Sequence, residues 1–401
     1  MKINKLLLYL NLFFLQSYLI RFKIGDFPTN LQEILIGLQC LIFLFAIIKN
    51  KTFIQTIKNI KKHWIILSLL GLTIVSTLIV PIENKLDFIR HGKFLILASI
   101  LTFIFIETFK SSEERLKAIK IAGIGAMLFG LFCAFYNLLG YNVTHDNRLL
   151  GPLDAAVYLG FYLTPFFIFF TIEFFRNTKI KSNLLYAMAL GILMIATVSM
   201  GSIAGSLIII LLYLFKRNDN KTFKSKTAKI IIATICLFVA SAVFYLKILP
   251  TIQTNYSSLN EREQIWTTAG HIIKTPKNLL LGVGLGQFQE QYAKNVKIAL
   301  SHEPLDYYVL QPHNIFLLFI FQFGILGLIL LLFCIKKNIQ NIYNWKKNQP
   351  FDFHILANFL LLYLFIHGLI DTPFFKNDLM IIFILLMELS LLKPSSKSLQ
   401  N

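Results

Sequence analysis

The chain has 401 residues, of which 56% are hydrophobic and only 15% charged, with a formal net charge of +19. That much apolar surface cannot be hidden inside a soluble domain of this length, so an ordinary soluble globular protein is excluded. The Lys and Arg residues are dispersed in short runs between apolar stretches, a pattern that signals membrane topology and argues against nucleic-acid binding.

A membrane span needs about 20 mostly apolar residues. Stretches of this kind lie at 6–20, 31–48, 64–81, 94–109, 121–140, 156–174, 184–199, 202–215, 230–247, 314–334, 355–371 and 378–392. They predict an all-α fold, a polytopic membrane helix bundle of about twelve transmembrane helices. Met1 to Ile20 has the charge and apolarity of a signal peptide but no clear small-residue cleavage site, and is read as a retained first helix. Arg90, His91 and Lys93 stand at the entry to the fourth span, and Arg148 lies in the connection after the fifth. Ser199-Met200-Gly201-Ser202 nearly fuses the seventh span to the eighth, as a tight outer turn does. Cys40, Cys133, Cys236 and Cys334 fall inside spans without paired spacing, which indicates neither a disulfide framework nor a zinc site.

With the N-terminus inside, most Lys and Arg fall in short cytoplasmic loops, among them Lys58/Lys61/Lys62, Lys216/Arg217/Lys221 and Lys336/Lys337/Lys346/Lys347. The alternation divides the chain in three. Residues 1–250 form an N-terminal bundle of about nine helices. Residues 251–312 form one large outer helical loop, and 313–401 a C-terminal three-helix part with a short cytoplasmic tail.

The outer loop holds most of the chemistry. Asn260 precedes Glu261-Arg262-Glu263 in a near capping box, and Ile265, Trp266, Ala269, Ile272 and Ile273 recur at helical spacing. This predicts an amphipathic helix over 261–274, lying along the membrane surface and ending near Thr275-Pro276. Arg262 and Trp266 are one turn apart and share a face. An Arg near a helix N-terminus is not favoured by the dipole, so it needs another reason to be there. Gly282-x-Gly284-x-Gly286 lacks the strand and the Gly-Lys-Ser/Thr ending of a phosphate loop, and reads as a tight turn into a helix from Gln287. Its backbone amides remain candidates to meet a phosphate or sugar.

Pro312-His313-Asn314 stands at the mouth of the next span. His313 is a candidate general base, or a group that holds an acceptor in place. Asn314 is a candidate to line the same site. His367 and Asp371, one turn apart at the end of the eleventh span, either pair structurally or help to line it. Outer arginines suit the fork geometry of phosphate oxygens. No outer Asp-x-Asp motif and no His/Asp/Glu set has convincing metal spacing, so chemistry without a metal or other cofactor is expected.

Together these motifs resemble the O-antigen ligase and polymerase superfamily. The loop signature is Arg262-x-x-x-Trp266, then Pro276, Gly282-x-Gly284-x-Gly286-x-Phe288, Tyr292, Pro312-His313-Asn314 and Phe323-Gly324-Ile325-Leu326-Gly327. Arg148-Leu-Leu-Gly151-Pro152-Leu-Asp154, with Tyr158-Leu159 and Pro165, resembles the upstream motif. His367-Gly-Leu-Ile-Asp371-Thr-Pro373, followed by Lys376-Asn-Asp-Leu379, resembles the C-terminal signature. The resemblance implies a bacterial inner-membrane glycosyltransferase acting on the outer face. Its donor would be a glycan on undecaprenyl diphosphate. Its acceptor would be a lipid A-core sugar in a ligase, or another lipid-linked repeat unit in a polymerase. Carried over by motif, Arg148 and Arg262 bind the diphosphate, with Arg90 or Lys93 as a third cation, and His313 serves as base or acceptor-positioning group. Many relatives carry an Arg where Met200 stands, a Pro-Asn pair at Ala156-Val157 and a Glu at Gln322. A lipid-linked glycan transporter is the rival from another class, but it would place charges deep within its spans, which here read as largely clean.

The orientation is testable. Reporter fusions are expected to place 251–312 outside and 216–229 inside, and finding both on one side of the membrane overturns it.

Overall fold

The computed structural model describes residues 2–25, 27–144, 147–217, 258–345, 351–372, 374 and 376–392. The expected span at 230–247, Cys236, Lys221, Lys346 and Lys347, the first residues of the outer loop and the C-terminal tail lie outside these.

The fold is helical: α1 (Lys2–Phe13), α2 (Leu31–Lys49), α3 (Phe53–Ile60), α4 (Trp64–Ile79), α5 (Lys85–Thr108), α6 (Ser112–Leu138), α7 (Ala156–Arg176), α8 (Lys181–Ala196) and α9 (Met200–Lys216). After the undescribed stretch come α10 (Ser258–Ile273), α11 (Pro276–Leu281), α12 (Phe288–Leu300), α13 (Ile315–Asn344), α14 (Phe353–His367) and α15 (Asn377–Leu391). Two short strands, β1 (Arg21–Ile24) and β2 (Phe27–Asn30), form an antiparallel hairpin that the sequence reading did not foresee. Its signal was Gly25, which has φ +60°, the conformation a tight hairpin turn asks of glycine. The first expected span is also broken: α1 stops at Phe13 and a 3-10 turn runs over Leu15–Leu19.

Local capping explains where other helices depart from the apolar stretches. Asn84 accepts from the Asp87 amide, so α5 begins at Lys85, and Arg90, His91 and Lys93 lie inside its first turns rather than before it. Ser111 and Glu114 make a reciprocal capping box that starts α6 well ahead of its apolar run.

Among the described residues, five helices (α2, α5, α6, α7 and α13) are long and apolar enough to cross a membrane. The count is six if α3 and α4, bent by 69°, form one broken span; α8, α9 and α14 are apolar but shorter. Large apolar side chains stay exposed on the outside of the bundle, among them Phe45, Leu78 and Ile192. A bundle that buries apolar groups inside and displays them outside is built for lipid, and the chain is a multi-pass membrane protein. The inner contacts include polar bridges between helices. Asn4 donates to Thr108 at 2.9 Å, Gln39 to Asn4 at 2.6 Å and Asn338 to Asn358 at 3.1 Å. These spans are therefore less clean than their hydropathy suggested, though these bridging groups are neutral.

The segment after α10 is fastened to a break in α13. Gly324 has φ +66° inside that helix, and a Cβ there would sit 2.1 Å from the Leu280 carbonyl oxygen. Gly282 meets the same crossing from the other side, with φ +76° and space for no side chain. The Phe321 carbonyl accepts from the amides of Val283 and Gly284 at 2.8 and 3.2 Å, and the Gln322 side-chain oxygen from Gly286 at 3.0 Å. These glycine-turn amides are thus used internally, which corrects the expectation that they are open to a phosphate. Gln322 supplies the acceptor oxygen for the Gly286 amide. Buried Gln287 pins the same turn to the α4–α5 connection, accepting from the amides of Glu83 and Asn84.

Gly324→Ala combines a left-handed φ with a backbone clash. It is expected to cost roughly 1–3 kcal/mol or more, read as a lowered melting temperature in detergent. Gly37→Ala, with nothing within 4 Å of its Cβ, is expected to be neutral or to stabilise by up to about 1 kcal/mol. Equal melting temperatures for the two variants would remove the crossing from its structural role.

Candidate active site

α10 is amphipathic as expected, but it starts at Ser258, so Asn260 lies within the helix instead of capping it. Its Ile265, Ala269 and Ile272 are buried against Val283, Phe288 and Tyr292, in an apolar cluster separate from the main core. The Phe288 and Phe321 rings meet edge-on at 4.8 Å, joining this cluster to α13. The helix is thereby held at the mouth of the bundle with Arg262 and Trp266 turned toward two other segments.

Those two residues act as a clamp. Trp266 donates its indole N–H to the Pro312 carbonyl at 2.9 Å. Arg262 pairs with Asp371 at 3.7 Å, and Asp371 is 3% exposed. The other Asp371 oxygen accepts from His313 Nδ1 at 3.0 Å and from the Thr372 amide at 2.9 Å. The cation near the N-terminus of α10, unexplained by the helix dipole, is thus matched by a buried carboxylate from another segment.

The Pro312-His313-Asn314 turn is fixed at each residue. Pro312 is held by Trp266. His313 adopts φ +49°, a left-handed conformation that costs a non-glycine residue about 1–3 kcal/mol. Asn314 caps α13, accepting from the amides of Phe316 and Leu317, and its own amide donates to Leu369 at 3.2 Å. The Ile315 amide donates to the Gly368 carbonyl at 2.7 Å. The turn and the 368–371 segment are therefore one unit.

Since the Asp371 oxygen can only accept, the proton on His313 belongs to Nδ1, and Nε2 is left as an acceptor. Burial pushes the Asp371 carboxyl up. The His313 hydrogen bond, and the attraction of His313, His367 and Arg262 for the carboxylate, outweigh that, so the group stays below the ordinary aspartate value.

His367 does not make the expected pair with Asp371. It makes no hydrogen bond to the Asp371 side chain; its Nδ1 meets the Tyr363 hydroxyl at 2.7 Å, and its ring lies 4.5 Å from that of Phe161. The position is buried, and Nε2 faces the backbone of Gly201, where a Cβ would come within 2.5 Å. Met200 opens α9 beside this contact.

The other expected cations lie on separate elements. Arg148 sits on the α6–α7 connection, its amide bonded to Thr144 and its carbonyl to Asn137. Arg90 is largely exposed and pairs with Asp87 at 3.3 Å, while Lys93 pairs with Glu33 at 2.8 Å. Sequence reasoning assigned no role to Lys376. Its ammonium lies 3.6 Å above the Tyr158 ring and 3.2 Å from Asp154. Tyr158 in turn lines a cleft of ≈ 180 Å3 together with His313, Glu261, Gln264, Tyr292 and Asp306. Among the described residues, no three His, Cys, Asp or Glu side chains are grouped as metal ligands.

Residues 185–332 match a family model described as O-Antigen ligase, which supports membership of the chain in the O-antigen ligase superfamily. The matched stretch contains Arg262, Trp266, His313, Asn314 and Gly324, but not Arg148, Asp371 or Lys376. No curated protein gives a significant match.

Asp371→Asn is expected to cost roughly 3–5 kcal/mol at neutral pH, because His313 and Arg262 lose a buried charge. The folded carboxyl titrates below its ordinary 3.8, so its stabilisation is whole above that value and is lost as pH falls through the folded pKa. The melting gap between wild type and variant should stay flat down to about pH 4 and narrow only in more acid buffer. A gap that widens in acid contradicts the assignment.

Proposed function

We propose that the chain transfers a glycan from undecaprenyl diphosphate to a sugar hydroxyl, in the manner of an O-antigen ligase. The observation that carries this reading is the Arg262–Asp371–His313 arrangement: a cation and an oriented imidazole share one buried carboxylate. His313 Nε2 takes the proton of the acceptor hydroxyl. That oxygen attacks the anomeric carbon, and the carbon–oxygen bond to the diphosphate breaks with inversion. Arg262, with Arg148, stabilises the charge that grows on the leaving diphosphate; Arg90 or Lys93 is the third cation of this proposal. Asp371 keeps the imidazole in the useful tautomer, and its fixed charge favours the imidazolium that forms. The reaction needs no metal in this scheme.

The membrane setting is part of the proposal. A bundle of about twelve spans sits in the cytoplasmic membrane with the insert outside. Support comes from the helix ends remote from the insert, which carry Lys58, Lys61, Lys110, Arg176, Lys216 and Arg217. A lipid A-core acceptor makes the chain a ligase. A repeat-unit polymerase differs only in receiving another lipid-linked unit, and the reaction product distinguishes them.

The test is glycan transfer by folded, membrane-inserted variants. His313→Ala is expected to reduce turnover by about 10²–10⁴-fold, and Arg262→Ala by roughly 10- to 100-fold. Arg262→Lys restores only part, because the planar fork is missing. Chelators leave the rate unchanged. Wild-type turnover in either alanine variant, or activity lost to chelator and restored by a divalent metal, defeats the scheme.

A further inference from the structure

The cleft beside His313 has the opposite electrostatic character from the rest of the chain. The whole molecule carries +19, yet the ionised groups at the cleft wall are Glu261 and Asp306. Among the described residues no Lys or Arg lines it: Arg262 and Lys376 lie outside its wall. The remaining polar wall is neutral, with Gln264 and the hydroxyls of Tyr158, Tyr292 and Tyr308. Both carboxylates act on Tyr292, whose hydroxyl is pushed up to about 12, first by burial and then by Asp306 and Glu261. That phenol therefore keeps its proton and remains a donor beside two acceptors.

Such a wall repels a phosphate. It suits a ligand with several hydroxyls to donate and an apolar ring face to lay on tyrosines. At ≈ 180 Å3 it is smaller than the roughly 300–1,000 Å3 of drug-sized sites, so it takes one sugar ring rather than an oligosaccharide. Because His313 is part of the wall, a hydroxyl of that ring reaches the imidazole.

We infer that this cleft is the subsite for the terminal ring of the acceptor glycan, and that Glu261 and Asp306 restrict it to neutral or amino sugars while excluding sugar acids. The inference rests on the transfer reaction proposed above and adds a specificity to it. A uronate would bring its carboxylate against two others, whereas a hydroxyl donates to them and an ammonium is attracted.

The experiment is ligand-observed NMR binding to the detergent-solubilised full chain. The probes are methyl glycosides in gluco, galacto and manno configuration, each as the neutral, 2-amino and 6-carboxylate form. The neutral and amino forms of at least one configuration are expected to bind, with the matching uronate weaker by roughly tenfold or more. Glu261→Gln with Asp306→Asn is expected to erase that difference. Both positions are exposed, so the substitutions leave the fold intact, which the melting temperature verifies. Uronates binding as well as their neutral partners, discrimination that survives in the double variant, or no binding by any probe each overturn the inference. The two readings fail separately. Sugar binding with these preferences alongside full transfer by His313→Ala sinks the catalytic scheme and keeps the cleft. Transfer that depends on His313 without charge discrimination does the reverse.

Discussion

A carboxylate that is 97% hidden is tolerated only when partners converge on it, and Asp371 draws them from separated parts of the chain. The Thr372 amide is local. His313 arrives 58 residues earlier in sequence, and Arg262 comes from a helix that would otherwise have no reason to place a cation in its first turns. Satisfying this one group sets the position of α10, the left-handed φ of His313 and the docking of the 368–371 segment onto α13. The strain at His313 is sustained because Trp266, Asn314 and Ile315 fix the residues on either side. Loosening any of these would release the imidazole from the geometry that gives Nε2 its role.

The far side of the insert is fastened by backbone rather than by charge. The break at Gly324 leaves the Phe321 carbonyl to two amides of the glycine turn, and Gly282 permits the two chains to cross at contact distance. An intact helix would have consumed that carbonyl itself. Three glycines with positive φ and one break in a span are thus a single device, and Gln287 extends it to the α4–α5 connection. The described part of the insert is held at two places, and the cleft lies between the clamp at His313 and the cluster around Tyr292.

Much of this was legible beforehand, and the limits have physical causes. Apolar runs located most helices, since lipid demands them. They misplaced the starts of α5 and α6, where Asn84 and Ser111 capped turns that hydropathy does not register. The amphipathic spacing of Ile265, Ala269 and Ile272 foretold the buried face of α10. Arg262 and His313 were singled out from position and residue type. Their link through Asp371 was not, because a contact across 109 residues leaves no periodic trace. The nearer His367, one turn from Asp371, was the natural partner by spacing, yet its Nδ1 is taken by Tyr363. Lys376 was given no role for a similar reason: its neighbour Asp154 lies 222 residues earlier in the chain, with Tyr158 close by. Glu261 was read only as part of a near capping box and Asp306 carried no reading, because nothing in the sequence places them at one cleft with Tyr292 and His313.

Charge segregation is what would suit the transfer proposed above, which joins a polyanionic donor to a polyhydroxyl acceptor. A diphosphate and a sugar ring ask for opposite surroundings, and one uniformly basic surface would hold the first while doing little for the second. Among the described residues the candidate phosphate-binding cations lie in the first turns of helices and on connections, while Glu261 and Asp306 stand around a small hollow. His313 belongs to both settings. One ring nitrogen is committed to the carboxylate that Arg262 also faces, while the ring as a whole forms part of the hollow's wall. In the proposed transfer, a base placed anywhere else would meet only one of the two substrates. Its value therefore lies less in any property of the imidazole than in the turn that fixes it at the border between them.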